Sequence, residues 1–249
     1  MRNPAYAVTF ATELYNTGGI GLRPIATTLK DYFGVKVSHV SVWKWNRKFS
    51  RQMELTPQVS DRWLVDETQL NVGGKHCWLW VVLDYETRFV IAWVLSPDRG
   101  KHNAVEVFRK ARKAAKKEPH EIISDGYHGY WPAVKRVFNG RVRHIITDLY
   151  EGLNNRIERF FHTFKKRVKW MYHFGSALSA KGFVREFVFW YNFVRRHSAL
   201  GCTPSQAAGL CKVAWSDVIF CALLPCAQKV ALTQALNTLP RALVAQVNA

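Results

Sequence analysis

The feature that most constrains this chain is the order of the apolar segments in its middle part. Three segments rich in Val, Trp and Leu begin near Arg62, Lys75 and Phe89, and only tight turns such as Asn71-Val72-Gly73-Gly74 separate them. Two shorter apolar segments follow at 121–125 and 142–146. Strands joined by tight turns form an antiparallel meander, and strands alternating with helices add parallel strands. The order therefore predicts an α/β domain with a mixed five-stranded sheet.

Helical periodicity fills the spaces between the later strands. The apolar positions predict helices over 102–117, 130–138 and 154–173. The complete order is strand, strand, strand, helix, strand, helix, strand, helix. A mixed five-stranded sheet flanked by helices in this order is the ribonuclease H-like arrangement, and we take it as the predicted fold class.

The first fifty residues predict an all-α domain. One helix covers about 7–16, a second begins at Pro24, and a third begins near Ser38, which is a good N-cap. A short Gly-containing turn before a basic helix is the pattern of a helix-turn-helix. A small helical bundle with a solvated basic face is the alternative. The candidate DNA contacts on the third helix are Lys44, Asn46, Arg47 and Lys48.

The charge of the chain indicates a polyanionic partner. Lys and Arg number 36 against 18 Asp and Glu, which gives a formal net charge of +18. Nucleic acid is the first candidate for such a partner, ahead of anionic membranes and acidic proteins. We find no signal peptide and no apolar run long enough for a membrane-spanning helix. The five scattered cysteines are typical of reduced thiols, so we expect a cytoplasmic location without membrane association.

Three acids stand where the predicted fold would bring them together. Asp66 and Asp125 end apolar strand segments, and Glu158 lies one turn into the long helix. Carboxylates at 4 Å repel by about 4 kcal/mol per pair, and hard divalent cations offset that repulsion best. Two such ions can activate a water or a 3′-hydroxyl for in-line displacement. The alternatives are a hydrogen-bonded core role for Asp66 and an ion pair of Glu158 with a neighbouring basic residue.

The long helix also carries cations beside Glu158. Lys165 lies about 10 Å along the axis from Glu158 with about 20° of rotation, and Lys169 continues the same flank. A metal ligand and a cation on one line suit a DNA strand, although a solvated basic face is the alternative. Arg195, Arg196 and His197 follow an aromatic helix face and are further candidates for phosphate contact.

Several segments resemble the DDE transposases of bacterial and archaeal insertion sequences, which share the retroviral integrase catalytic core. The interval of 32 residues between Asp125 and Glu158 is close to the spacing common in that group, and Lys165 matches as well. The match covers about 60–210. The matching segments are WLVDET (63–68), ISDG (123–126), NNRIER (154–159), YNFVRRHSAL (191–200) and Thr203-Pro204.

The resemblance implies a function and a set of roles. Asp66, Asp125 and Glu158 would be catalytic metal ligands for Mg²⁺, with Mn²⁺ as a substitute, and Lys165 would contact DNA. The helix-turn-helix would bind the terminal inverted repeats of a mobile element. The enzyme would cleave the strand at the transposon end and join the new 3′-hydroxyl to target DNA, which is transposition by DNA recombination and integration. A homodimer or higher oligomer on DNA is expected, because two transposon ends must be held.

The sequence also predicts domain boundaries. A helix-turn-helix domain covers 1–50, a linker 51–60, and the catalytic domain 61–210. The tail, 211–249, has few charges and is an oligomerisation helix, a packing appendage or the product of a frameshifted reading frame. Two rival functions remain: a ribonuclease H-fold nuclease that cuts without joining, and a transposase-derived DNA-binding regulator without catalysis.

Overall fold

The computed structural model describes residues 3–49, 56–147, 152–169 and 173–210. The predicted tail and half of the predicted linker, 51–55, lie outside these residues. The chain divides into two compact units, one of Met1–Met53 with Gly182–Ala249 and one of Glu54–Lys181. These units group 182–210 with the first helices, whereas the sequence places that segment in the catalytic domain. The sequence-based boundaries therefore remain a prediction.

Three helices open the chain, as the sequence predicts: α1 (Ala5–Thr17), α2 (Leu22–Phe33) and α3 (His39–Phe49). Helix α2 ends at Gly34, whose φ of 66° is a left-handed conformation that glycine adopts without strain. Ser38 precedes α3, and its hydroxyl accepts a hydrogen bond from the Ser41 N–H at 3.1 Å. The core that joins the three helices contains Ala7, Ala11, Tyr15, Ile25, Leu29 and Val42.

The second unit contains a five-stranded sheet in the order β3-β2-β1-β4-β5. Strands β1 and β2 pair antiparallel, as do β2 and β3, whereas β4 is parallel to both β1 and β5. This mixed order confirms the ribonuclease H-like fold class. The strands are β1 (Arg62–Val72), β2 (Lys75–Asp84), β3 (Val90–Ser96), β4 (Glu121–Ser124) and β5 (Arg143–Ile146).

The turn between β1 and β2 shows why the sequence folds into this meander. Val72 pairs with Lys75, so Gly73 and Gly74 alone form the turn. Both glycines have positive φ, 58° and 76°, which the favoured two-residue hairpin turn requires. The turn fixes the register of two long strands, and thereby the face to which each β1 side chain points.

Helices cover the sheet and complete its core. They are α4 (Lys101–Ala115), α5 (Tyr130–Phe138) and α6 (Asn155–Lys169), and α4 contacts β2, β3 and α5. Trp63, Trp80 and Phe108 are completely buried among them. Helix α6 contacts β1 and buries Ile157, Phe160, Phe161 and Phe164 on one stripe. Beyond it follow α7 (Ala177–Phe189), a five-residue π-helix (Trp190–Val194) and α8 (Pro204–Ala207). Among the described residues no helix is long and apolar enough to cross a membrane.

One sequence-based expectation about β1 is wrong. The sequence places Asp66 at the end of a strand, but β1 continues to Val72 because its hairpin partner β2 runs alongside. The parallel neighbour β4 pairs only with Arg62, Trp63 and Leu64. Asp66 therefore lies in mid-strand, just beyond the point at which β1 loses its β4 neighbour.

Candidate active site

Asp66 is a carboxylate in an apolar strand with little to neutralise it. Its Oδ1 accepts the backbone N–H of Glu67 at 2.7 Å. Burial and the negative charges of Glu67, Asp125 and Glu158 together raise the pKa of Asp66 to about 7, against the opposing effect of that hydrogen bond. A carboxyl held in this state is favoured to bind a cation, because a cation would offset both the burial and the repulsion.

Asp125 reaches the same place from the neighbouring strand. It follows β4 directly and is half-buried, and its Oδ1 accepts the backbone N–H of Tyr127 at 3.1 Å. Carboxylate oxygens of Asp66, Glu67 and Asp125 all lie within 4.8 Å of one another. The predicted convergence of Asp66 and Asp125 is therefore present in the structure.

Glu158 lies at the margin of this cluster. It is exposed in the first turn of α6 and is not one of the three acids whose oxygens lie within 4.8 Å. It is near enough for its negative charge to raise the pKa of Asp66. The first turn of α6 is anchored by Arg156, whose guanidinium lies 3.5 Å from the centre of the Tyr85 ring and 3.6 Å from Glu86.

Glu67 is a further acid at this site that was not predicted from the sequence. Its side chain is 1% exposed, and it forms an ion pair with Arg99, whose Nε lies 2.6 Å from Oε1. The Tyr130 hydroxyl donates to the other oxygen, Oε2. Burial raises the pKa of Glu67, while the hydrogen bonds from Tyr130 and Arg99 oppose that rise. Two consecutive acids inside an apolar strand were the signal, because each carboxylate is costly to bury without a partner.

A second buried acid shows what a satisfied carboxylate looks like in this protein. Asp84 is 0% exposed and accepts four hydrogen bonds of 2.7 to 2.8 Å from the N–H and hydroxyl groups of Ser60 and Thr87. Asp66 and Asp125 each accept one from the described residues. Since a carboxylate offers about four lone-pair positions, both retain oxygen positions suited to a hard cation. Their donor chemistry fits a divalent metal ion.

We expect protons to compete with metal at this site. A carboxyl whose folded pKa is about 7, against 3.8 as the ordinary value, stabilises the metal-free fold below pH 3.8 and loses that contribution as pH rises through about 7. Metal needs the ionised form, so its apparent affinity should fall by about tenfold per pH unit below about 7. Titration of the whole protein with Mn²⁺ at several pH values measures this slope. An affinity independent of pH between about 5.5 and 7.5 would contradict the prediction.

The predicted DNA contacts on α6 and α3 occupy different environments. Lys165 and Lys169 are exposed on α6, and Lys44 is exposed on α3. Lys48 is half-buried, and Arg47 lies 3.9 Å from Glu186 and 5.0 Å from the centre of the Trp43 ring.

Asn46 does not fit its predicted role. It is 2% exposed, donates to the Val42 carbonyl at 3.0 Å and accepts from Asn16 at 3.2 Å. Its side chain holds α1 and α3 together, so it is not on the surface that DNA would contact. The helical periodicity of α3 explains the difference, since Asn46 follows Val42 by four residues on the buried face.

The basic residues after the π-helix also differ among themselves. Arg196 is exposed and donates to the Gly201 carbonyl at 3.2 Å, whereas the Arg195 guanidinium lies 5.3 Å from the centre of the Tyr191 ring. His197 is 5% exposed, and its N–H donates to the Cys202 carbonyl at 2.9 Å. His197 thus forms part of a turn within its unit, and only Arg196 of the three presents an exposed side chain.

Comparison with known families identifies the domain that carries these acids. A family model described as a DDE domain matches residues 60–197, which is more than half of the chain. The chain belongs to this DDE-domain family. The match includes all three acids that the sequence analysis proposes. The match confirms the predicted relationship to DDE transposases. It places the chain in the class of metal-dependent polynucleotidyl transferases that act in transposition.

Individual relatives of this DDE-domain protein are distant. An uncharacterized protein of Methanocaldococcus jannaschii is 24% identical over 186 residues, covering 71% of this chain and 81% of the relative. The transposase for insertion sequence-like element IS431mec of Staphylococcus aureus is 25% identical over 123 residues, covering 47% of this chain. The chain spans about half, 54%, of the length of that transposase.

Solved structures similar to the chain include retroviral integrases. A chain of the simian T-cell lymphotropic virus intasome has a TM-score of 0.48 and 14% identity, with coverage of 79% of this chain and 73% of that one. The HTLV-2 integrase catalytic core domain in complex with magnesium has a TM-score of 0.42 and 14% identity, with coverage of 62% and 98%.

Proposed function

We propose that this protein binds the terminal inverted repeats of a mobile element and catalyses metal-dependent DNA strand cleavage followed by strand transfer. The observation that carries the proposal is the approach of Asp66 and Asp125, two sparsely hydrogen-bonded carboxylates within the matched DDE domain. Neighbouring strands deliver them to one point, with the charge of Glu158 nearby.

The three acids have distinct parts in this proposal. Asp66 and Asp125 would hold the divalent metal, Mg²⁺ or its substitute Mn²⁺, and Glu158 would complete the ligand set from α6. When bound, two such ions supply activation of a water or 3′-hydroxyl and stabilisation of the leaving oxygen. The backbone N–H groups of Glu67 and Tyr127 each fix one carboxylate oxygen, and so orient the remaining oxygens. The anchored start of α6 sets the position from which Glu158 acts.

DNA would be the partner on two surfaces. The exposed cations Lys165 and Lys169 follow Glu158 along α6 and suit the backbone of the strand being cut. Helices α2 and α3 form a helix-turn-helix pair that presents Lys44, with Arg47 and Lys48 beside it, to the end sequence. We further propose a dimer or larger assembly, which holds both transposon ends, and a cytoplasmic location at the bacterial or archaeal chromosome.

One experiment separates this function from its rivals. The purified protein is incubated with labelled duplexes that carry the candidate terminal repeats of its own element, with and without Mg²⁺, and nicked and joined products are counted separately. A transposase yields both products only with metal. Nicks without joining would support the cutting-only nuclease, and binding without either product would support the DNA-binding regulator.

We expect DNA affinity to fall steeply with salt. Each neutralised phosphate contributes about −0.9 to the slope of log affinity against log salt concentration. Replacing Lys165 and Lys169 together by Gln should make the slope less negative by about 1.8, if each contacts one phosphate. Binding isotherms at several salt concentrations measure the slope. The control is Lys75→Gln, which removes an exposed cation next to the β1–β2 turn. An unchanged slope in the double variant would remove α6 from the DNA surface.

A further inference from the structure

Glu67 stands close enough to the two candidate ligands to be mistaken for a third. Its carboxylate lies within 4.8 Å of those of Asp66 and Asp125, as a ligand's would. Both of its oxygens are already bound, Oε1 by Arg99 and Oε2 by Tyr130. With its side chain 1% exposed, these protein partners account for its hydrogen bonding.

Arg99 is held on several sides. Its guanidinium lies near two rings, 4.9 Å from the centre of Trp78 and 4.4 Å from that of Tyr127. The Tyr127 hydroxyl donates to the Arg99 carbonyl. Cation–ring contacts and a buried carboxylate together fix the position of the cation. Arg99 is thus a partly exposed charge with several protein contacts beside the acids.

The same residues hold the two candidate ligands. The Glu67 N–H binds Asp66, and the Tyr127 N–H binds Asp125. The side chains of Glu67 and Tyr127 both contact Arg99. Arg99 therefore connects the segment that orients Asp66, in β1, with the segment that orients Asp125, in the loop after β4.

From this arrangement we propose that Glu67 and Arg99 are a charge-balancing pair, which sets the charge beside Asp66 and Asp125 without either side chain binding metal. The proposal rests on the metal-dependent function above. Arg99 needs Glu67, since an unbalanced cation at this place would repel a metal ion. Glu67 needs Arg99, since an unbalanced carboxylate would add to the repulsion already felt by Asp66.

The test is direct binding of Mn²⁺ to the whole protein, measured by calorimetry or by electron paramagnetic resonance in the absence of DNA. Glu67→Gln keeps an oxygen for Arg99 and Tyr130 but leaves Arg99 unbalanced, so Mn²⁺ affinity should fall by about tenfold. Arg99→Gln leaves Glu67 unbalanced, so affinity should rise. The double variant removes both charges and should return to within about threefold of the wild type.

The double variant distinguishes charge balance from ligation. If Glu67 were itself a ligand, the double variant would bind as weakly as Glu67→Gln, and the proposal would be wrong. Loss of Mn²⁺ affinity in both single variants would likewise overturn it, because substitutions in a pair with a purely structural role would both lower the affinity. If Arg99→Gln fails to fold, the Mn²⁺ affinities of Glu67→Gln and of the double variant still show whether Glu67 is a ligand. Arg99→Lys should retain wild-type affinity.

A matched control comes from α4. Glu106 and Lys110 form an exposed ion pair at 2.8 Å in the same unit, and their exchange for Gln should leave Mn²⁺ affinity unchanged. A wild-type protein that binds no Mn²⁺ would instead contradict the proposed function itself. The two failures are therefore distinguishable.

Discussion

Asp125→Asn should abolish strand cleavage while leaving DNA binding intact. The substitution keeps an oxygen for the Tyr127 N–H, now 3.1 Å from Oδ1, so the loop after β4 retains its shape. It removes one of the two carboxylates that converge beside β1. Loss of a ligand charge removes several kcal/mol of transition-state stabilisation, which corresponds to a fall in rate of about 10³-fold or more. Single-turnover cleavage of a labelled transposon-end duplex measures the rate.

The control for this prediction is Glu106→Gln, which removes the same charge from an exposed position on α4. Its cleavage rate and its DNA affinity should both match the wild type. An electrophoretic mobility assay without metal checks that Asp125→Asn still binds the duplex. Strand transfer by Asp125→Asn near the wild-type rate would remove Asp125 from the catalytic set.

Much of the fold was accessible from the sequence because its signals are local. Gly73 and Gly74 supply the positive φ that the β1–β2 turn requires, and Ser38 supplies the cap before α3. The apolar stripe of α6 buries Phe160 and Phe164, as helical periodicity predicts, and the helix contacts β1. Signals of this kind depend on a few neighbouring residues and not on the tertiary structure.

The length of β1 was not accessible in the same way. Its apolar run stops at Asp66, and the strand continues only because β2 pairs with it as far as Val72. Strand pairing is a tertiary interaction that overrides local hydrophobicity. Asp66 therefore lies in the part of β1 that no longer pairs with β4, and not at a strand terminus.

The residues of the candidate site also differ in whether a local sequence signal marks them. Asp66 and Asp125 could be proposed from the sequence because each follows a short apolar run in a predictable strand. The partnership of Glu67 with Arg99 and Tyr130 could not, since it joins residues 32 and 63 positions apart. Burial of Asn46 and His197 was missed for a related reason, because polar residues carry no sequence mark of the partner that satisfies them.

Two aspartates of the sheet, the buried Asp84 and the half-buried Asp66, should respond oppositely to the same substitution. Asp84→Asn replaces an acceptor of four hydrogen bonds with an amide that must turn its NH₂ toward donors of Ser60 or Thr87. Because hydrogen bonds to a charged group contribute about 1.5–3 kcal/mol each, we expect a loss of about 3 kcal/mol in the free energy of unfolding. That corresponds to a fall of about 10 °C in Tm.

Asp66→Asn should leave the metal-free protein as stable as the wild type, or more stable, when measured above pH 7. Its carboxylate accepts one hydrogen bond from the described residues, and burial and the neighbouring acids raise its pKa to about 7, so ionisation of Asp66 works against folding there. Denaturant unfolding of both variants with a chelator present makes the comparison. If Asp66→Asn lowered the free energy of unfolding as much as Asp84→Asn, Asp66 would be a structural acid. Stability gained at Asp66 together with loss of metal binding is the behaviour of a carboxylate kept for its ligand.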